Sequence, residues 1–226
     1  MSFFLIRVFM YKCFLGLTLL LVAFFGFASQ KETITVIAVE YPPYTSEHMP
    51  DNGVTFKLLK DYSKQYFERD IQPLFLPPAR AQAVMQSGNW CLSFIPPVDS
   101  SNVIPISDAE IILSFFRFKT EGEFKWQSLS ELKGQTVAML RTLGQGEIAK
   151  KMTQAGMEIV RVDSLSQGMN MVLKKRVDYW FTTQNTPQAL NADEADQQNL
   201  QFAETPLMVV QPRIFYSERC KKELNL

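Results

Sequence analysis

The spacing of hydrophobic positions changes along the chain, and each change of rhythm predicts an element. The first stretch carries Arg7 and Lys12, then runs apolar from Cys13 to Phe27, with small residues at Gly26 and Ala28. A basic start, an apolar core and a small-residue cut site are the layout of a secretory signal peptide, here with cleavage expected after Ala28. The run from Cys13 is shorter than the about 20 residues a membrane span needs. Extending it backward meets Lys12 and Arg7, so cleavage is expected over anchoring. Cys13 precedes the apolar core, where a lipid-modified cysteine would follow it.

After the leader the rhythm alternates between strand and helix. Thr33–Val39 is β-branched and alternating, and Tyr41-Pro42-Pro43-Tyr44 ends it because proline cannot donate to a ladder. Gly53–Phe67 places Val54, Leu58, Tyr62 and Tyr66 four apart, which predicts a helix. A strand is expected over Ile71–Leu76, a helix from Pro78 to Gln86 closed by Gly88, and a strand over Cys91–Ile95 stopped by Pro96-Pro97. Asp99–Asp108 reads as irregular, Ile111–Phe118 as a buried strand and Glu121–Lys125 as a linker. The rhythm then repeats. Leu129–Lys133 is a short helix, Thr136–Leu140 a strand, Gly144–Ala155 a helix and Glu158–Val162 a strand. Leu165–Lys174 is a helix with Ser164 as its N-cap, and Val177–Thr182 is a strand. Leu200–Phe202 and Leu207–Tyr216 are extended. Two runs of alternating strands and helices predict an α/β protein with two lobes.

Charge and cysteine content narrow the class. The chain has 23 basic and 23 acidic residues. Two of the basic ones fall in the leader, so the exported part is slightly acidic and offers no basic field for nucleic acid. No later apolar run is long enough to span a membrane. Cys91 and Cys220 remain after cleavage, an even number that suggests a disulfide in an exported protein. With one histidine, His48, and no Cys-x-x-Cys pair, neither a metal nor another cofactor is expected.

In open α/β sheets ligands bind beyond the carboxyl ends of the strands. That rule points to Glu40–Tyr44, Pro77–Arg80, Arg141–Gly146 and Asp178–Thr183. Tyr41 and Tyr44 can supply a flat wall and hydroxyls, or simply pack in a proline-fixed turn. Glu40 can accept from an ammonium group. Arg80 can hold a carboxylate through its planar fork, or pair with Asp61 or Glu40. Arg141-Thr142-Leu143-Gly144-Gln145-Gly146 joins a strand to a helix start, where free N–H groups attract anions. Asp178 is either a ligand for an amino group or a structural carboxylate paired with Arg176. Tyr179, Trp180 and Phe181 read as packing residues, Trp90 as core or cleft rim, and Met169 and Met171 as gap fillers.

The segments Val39–Tyr44, Pro78-Ala79-Arg80-Ala81, Ser87–Trp90, Leu129–Ala138 and Lys174–Asp178, in this order and spacing, resemble the family 3 periplasmic solute-binding proteins over about residues 30–220. The resemblance implies a type II two-lobed periplasmic-binding-protein-like fold behind the signal peptide. Lobe 1 would cover 29–118, lobe 2 119–206, and 207–226 would return to lobe 1. Crossings are expected near Phe116–Gly122 and Thr205–Gln211, with Cys91 and Cys220 both in lobe 1. It further implies a monomeric periplasmic protein that captures an amino acid or similar small polar solute for an ABC permease. Glu40, Tyr41, Tyr44, Arg80, Arg141, Thr142, Gly144 and Asp178 would line the site. Two departures bear on this. Pro96–Asp108 lacks the arginine that such proteins use for an α-carboxylate, so Arg80 or Arg141 must replace it or the ligand is not a standard amino acid. The chain also ends before the one or two helices that usually follow. Both leave a sensor or degenerate binder as the alternative. A dehydratase-like enzyme, with Glu40 and Asp178 as acid and base, ranks lower because no nucleophile–base constellation is present.

Overall fold

Each strand–helix unit hides one apolar face, and the units gather these faces into two sheets. The computed structural model describes residues 33–97, 102–143, 146–224 and 226, and Thr33–Leu226 forms one unit. The expected leader, residues 1–28, and Gly144 lie outside the described residues.

The first sheet holds β1 (Ile34–Ala38), β2 (Ile71–Phe75), β3 (Leu92–Ser93), β4 (Val103–Pro105) and, from the chain's end, β11 (Arg213–Tyr216), in the order β2-β1-β3-β11-β4. β1 runs parallel to β2 and β3, with Ile34 opposite Ile71 and Val36 opposite Leu92. Helices α1 (Val54–Tyr66) and α2 (Pro78–Ser87) follow β1 and β2. Phe56 and Leu59 of α1 pack on Ile34, Val36, Leu92 and Ile214. The row that predicted α1 is not the row it buries. Val54 and Tyr66 are 51% and 60% exposed, whereas Thr55, Phe56, Leu59 and Ser63 are buried. A step of four residues advances about 40° beyond one helical turn, so a long row of this kind winds off any single face.

The second sheet contains β5 (Ile111–Phe118), β6 (Thr136–Leu140), β7 (Glu158–Val162), β8 (Tyr179–Thr183) and β10 (Met208–Val210) in the order β10-β5-β8-β6-β7, with β9 (Leu200–Phe202) also paired to β5. Helices α3 (Glu147–Gln154) and α4 (Leu165–Leu173) complete its parallel units. Ser164 caps α4 as expected, its hydroxyl accepting from the Gln167 N–H at 3.1 Å. Leu129–Leu132 is a 3₁₀ turn rather than an α-helix, opened by a capping box of Ser128 and Glu131.

Sheet pairing moves the expected lobe boundaries. Ile111–Phe118 does not belong with the first lobe's sheet: β5 pairs with β8, β9 and β10 of the second. Its Phe115 packs with Phe181, Val137 and Met139, and Phe116 on the other face packs with Trp180 and Ala138. The chain therefore leaves the first sheet between β4 and β5, not near Phe116–Gly122. It returns between β10 and β11. The two passages touch, with the Ile106 N–H donating to the Pro212 carbonyl at 3.0 Å. The polar stretch after Phe118, read as a linker, is a loop within the second lobe. The Glu204 N–H bonds the Phe124 carbonyl at 2.8 Å, and the Arg117 guanidinium lies 4.4 Å above the Phe124 ring.

Cys91 and Cys220 form a disulfide across a Cα–Cα distance of 4.9 Å. It ties the start of β3 to a short terminal helix, α7 (Glu218–Glu223). Two other short helices, α5 (Thr186–Ala189) and α6 (Glu194–Gln198), precede it in the second lobe. These three and β4 have too few residues to display a period in the sequence. β4 exists because Ile104 pairs with Ile214 of β11, and α7 starts where the Ser217 hydroxyl accepts from the Cys220 N–H.

Candidate ligand-binding site

The carboxyl ends of β1 and β2 in one sheet and of β6 and β8 in the other converge on a common junction. Leu140, at the end of β6, and Leu143, in the turn after it, join Ile37, Val39, Ala81, Trp90 and Phe215 of the first lobe in one apolar cluster. Trp90 is thus core at the junction itself, and its indole N–H bonds the Met85 carbonyl at 3.2 Å.

Tyr41 crosses this junction. Its hydroxyl lies 3.2 Å from the Thr182 hydroxyl near the end of β8. Thr182 continues to Thr186 at 2.8 Å, and Thr186 to Thr183 at 2.9 Å, so four hydroxyls form a chain into the second lobe. All three threonines are buried. Burial pushes the Tyr41 phenol up to about 12, against the opposing pull of the Thr182 hydrogen bond. An unfolded tyrosine ionises near pH 10. The folded value is raised, so the stability this group contributes is complete below about pH 10 and is lost as pH rises toward about 12. Tyr41→Phe is expected to flatten that alkaline decline. Thermal melts from pH 9 to 12 check it, and parallel declines in both proteins would show that the hydroxyl is not shielded.

Thr142 sits in a 3₁₀ turn, Arg141–Leu143, directly after β6. It is 8% exposed, and its hydroxyl has no hydrogen-bond partner among the described residues. An unpaired buried hydroxyl costs about 1–3 kcal/mol. Helix α3 begins beyond it, with Gly146 as its N-cap residue and no side-chain cap among the described residues, which leaves first-turn N–H groups open to a partner.

The other expected residues divide. Tyr44 is half-buried beside Tyr41, ring centroids 6.2 Å apart. Glu40 accepts from the Glu47 N–H at 2.7 Å, so it fastens the loop after β1. Arg80 is exposed in the first turn of α2 and makes no hydrogen bond or ion pair among the described residues. Arg141 is already engaged: its Nε donates to Asp163 at 2.8 Å. That hydrogen bond holds the Asp163 carboxyl below its ordinary range and raises the guanidinium. The pair's contribution is present above the ordinary carboxylate range and fades as pH falls through the lowered Asp163 value. On an open surface it is small.

Asp178 is not at the junction. It precedes β8, and its carboxylate accepts from both the backbone N–H and the hydroxyl of Thr136, each at 2.7 Å, at the start of β6. At about 3.3 Å per residue, Thr183 lies about 16 Å away along the strand. The carboxyl-end rule applied to this segment selects Thr182 and Thr183 at its far end rather than Asp178. Asp163 and Thr186 were missed, because nothing in their local sequence signals a partner.

No protein-family model matches the sequence, and no curated protein matches it. Solved structures do match in shape. The arginine-bound form of ArgBP from T. maritima aligns with TM-score 0.63 at 15% identity, over 85% of this chain and 92% of that one. The GluR0 ligand-binding core from Nostoc punctiforme with L-glutamate gives 0.62 at 12%, over 85% and 89%. The BvgS VFT2 domain of Bordetella pertussis, as a double mutant, gives 0.62 at 14%, over 85% and 84%. The protein thus has the two-lobed α/β fold of the periplasmic-binding-protein type, the fold implied by the sequence resemblance.

Proposed function

We propose that the protein is an exported solute-binding protein whose lobes close on a small polar solute, an amino acid or a similar molecule. The observation that carries this reading is the buried Thr142 hydroxyl at the junction, unpartnered among the described residues, beside a helix start that no described side chain caps. A solute carboxylate or carbonyl would satisfy both. Tyr41 supplies a wall from the first lobe, the Thr182 hydroxyl lies on the same lobe as Thr142, and Arg80 is a cation free to turn toward an anionic group. The structural neighbours that carry arginine or glutamate support the class of ligand. The leader and the disulfide support a periplasmic location, and delivery to an ABC permease is the role proposed for a monomer there.

One observation favours the alternative of a sensor or degenerate binder. Leu140 and Leu143 already fill part of the junction with apolar contacts to the first lobe. Closure is then partly self-supported, and a solute shifts the equilibrium less. Calorimetry of residues 29–226 against an amino-acid panel decides the matter. Binding of at least one member is expected. Thr142→Val, which keeps shape and removes the hydroxyl, is expected to weaken it by about tenfold or more. A folded protein that binds no member sinks the transport reading.

A further inference from the structure

We propose that Glu40, Glu47 and His48 form a binding site for a divalent transition-metal ion of the zinc type. One oxygen from each carboxylate and one imidazole nitrogen lie within 4.8 Å of one another. The expectation that no metal binds rested on a single histidine and no paired cysteines. Along the sequence Glu40 stands apart from Glu47-His48, and only the folded loop after β1 brings them together.

That loop is fixed by its own backbone rather than by the cation. The Tyr41 N–H bonds the Thr45 carbonyl at 2.7 Å, and the Thr45 N–H bonds the Tyr41 carbonyl at 3.1 Å. The Thr45 hydroxyl donates to the Val39 carbonyl at 2.8 Å. The His48 N–H bonds the Ser46 hydroxyl at 3.2 Å. Gly53 closes the loop at φ 94°, where an added Cβ would stand 2.6 Å from the Tyr44 carbonyl oxygen. A backbone held in this way keeps the three side chains close together, so little chain freedom is lost on binding. The Glu47 N–H occupies Oε1 of Glu40 and orients the carboxylate, leaving Oε2 for a metal.

Charge and chemistry select the ion. Among the described residues neither Glu40 nor Glu47 has a lysine or arginine ion-pair partner. The loop's one ion pair there joins Lys60 to Asp51. Two carboxylates this close favour a cation between them. Imidazole with carboxylates suits zinc and its first-row neighbours, whereas calcium and magnesium prefer oxygen alone. Three protein donors leave a tetrahedral position for water or for a donor atom of a solute.

The test is titration of tag-free residues 29–226 with zinc chloride by calorimetry, with cobalt(II) absorption as a second readout. One ion per chain is expected, with calcium much weaker. His48→Ala and Glu47→Gln are each expected to weaken binding about tenfold or more. Both residues are exposed, so circular dichroism and metal-free melting should match the parent. Absence of saturable binding in the folded parent overturns the proposal, as does unchanged affinity in His48→Ala. Calcium binding as tight as zinc overturns the assigned class. No solute enters the measurement, so its outcome is independent of the transport reading.

Discussion

Trp180→Ala is expected to destabilise the protein by about 3–5 kcal/mol. Trp180 is fully buried in β8 and packs on Phe116, ring centroids 5.6 Å apart, with Ala138, Val162 and Met169 around it. Its neighbour Phe181 points into the other core cluster. The strand is therefore buried on both faces, and removal of the indole leaves a cavity that the surrounding sheet cannot collapse into. Domains of this kind are stable by about 5–15 kcal/mol, so the loss is a large fraction of the total. Urea unfolding followed by circular dichroism should show a lower midpoint at unchanged slope. A loss under about 1 kcal/mol would mean the indole is not a core element.

Gly168 makes this prediction sharper. A glycine inside α4 costs about 1 kcal/mol relative to alanine in helix propensity. Here it is required by packing, because an added Cβ would lie 2.5 Å from Cδ1 and 2.6 Å from Nε1 of Trp180. Gly168→Ala is expected to destabilise despite the better helix former. In a Trp180→Phe background its cost should shrink, since the two positions touch and their effects do not add.

Replacing Cys91 and Cys220 together by alanine is expected to cost about 5 kcal/mol in the chain-entropy account of a loop this long. The bridge spans 129 residues of sequence. It holds together the return of the chain to the first lobe, where the Ser217 N–H bonds the Cys91 carbonyl at 3.0 Å and the Ser217 hydroxyl donates to the Trp90 carbonyl at 2.5 Å. Cys220 is fully buried, so alanine avoids adding an unpaired polar group. Melting of the parent with and without reductant should show the same shift once a thiol assay confirms reduction. Equal melting in both states would assign the bridge no role in stability.

Much of the fold was legible because several strands are bounded by strong punctuation. Ile111–Phe118, Thr136–Leu140 and Glu158–Val162 appear as read, as do the caps at Ser164 and Gly88. The expected site segments meet the junction of the lobes only in part. Tyr41 and Thr142 stand at the junction of the lobes. Asp178 stabilises the far end of the second sheet, and Arg141 is taken up by Asp163. Charged residues attract attention in a sequence, but their partners are set by folding, and a carboxylate beside a free N–H is satisfied wherever it lies.

The sequence by itself determined the alternation of strands and helices, and it pointed to a bond between Cys91 and Cys220 and to strand ends as the candidate site. These depend on local periodicity, on glycine and proline, and on a count. Tertiary structure alone decided that β5 joins the second sheet, that Tyr41 meets Thr182, and that Glu40 meets Glu47 and His48. Strand partnership is a choice among distant segments with similar apolar faces. Tyr41 and Thr182 are 141 residues apart, and no local pattern records a contact made only when two lobes come together.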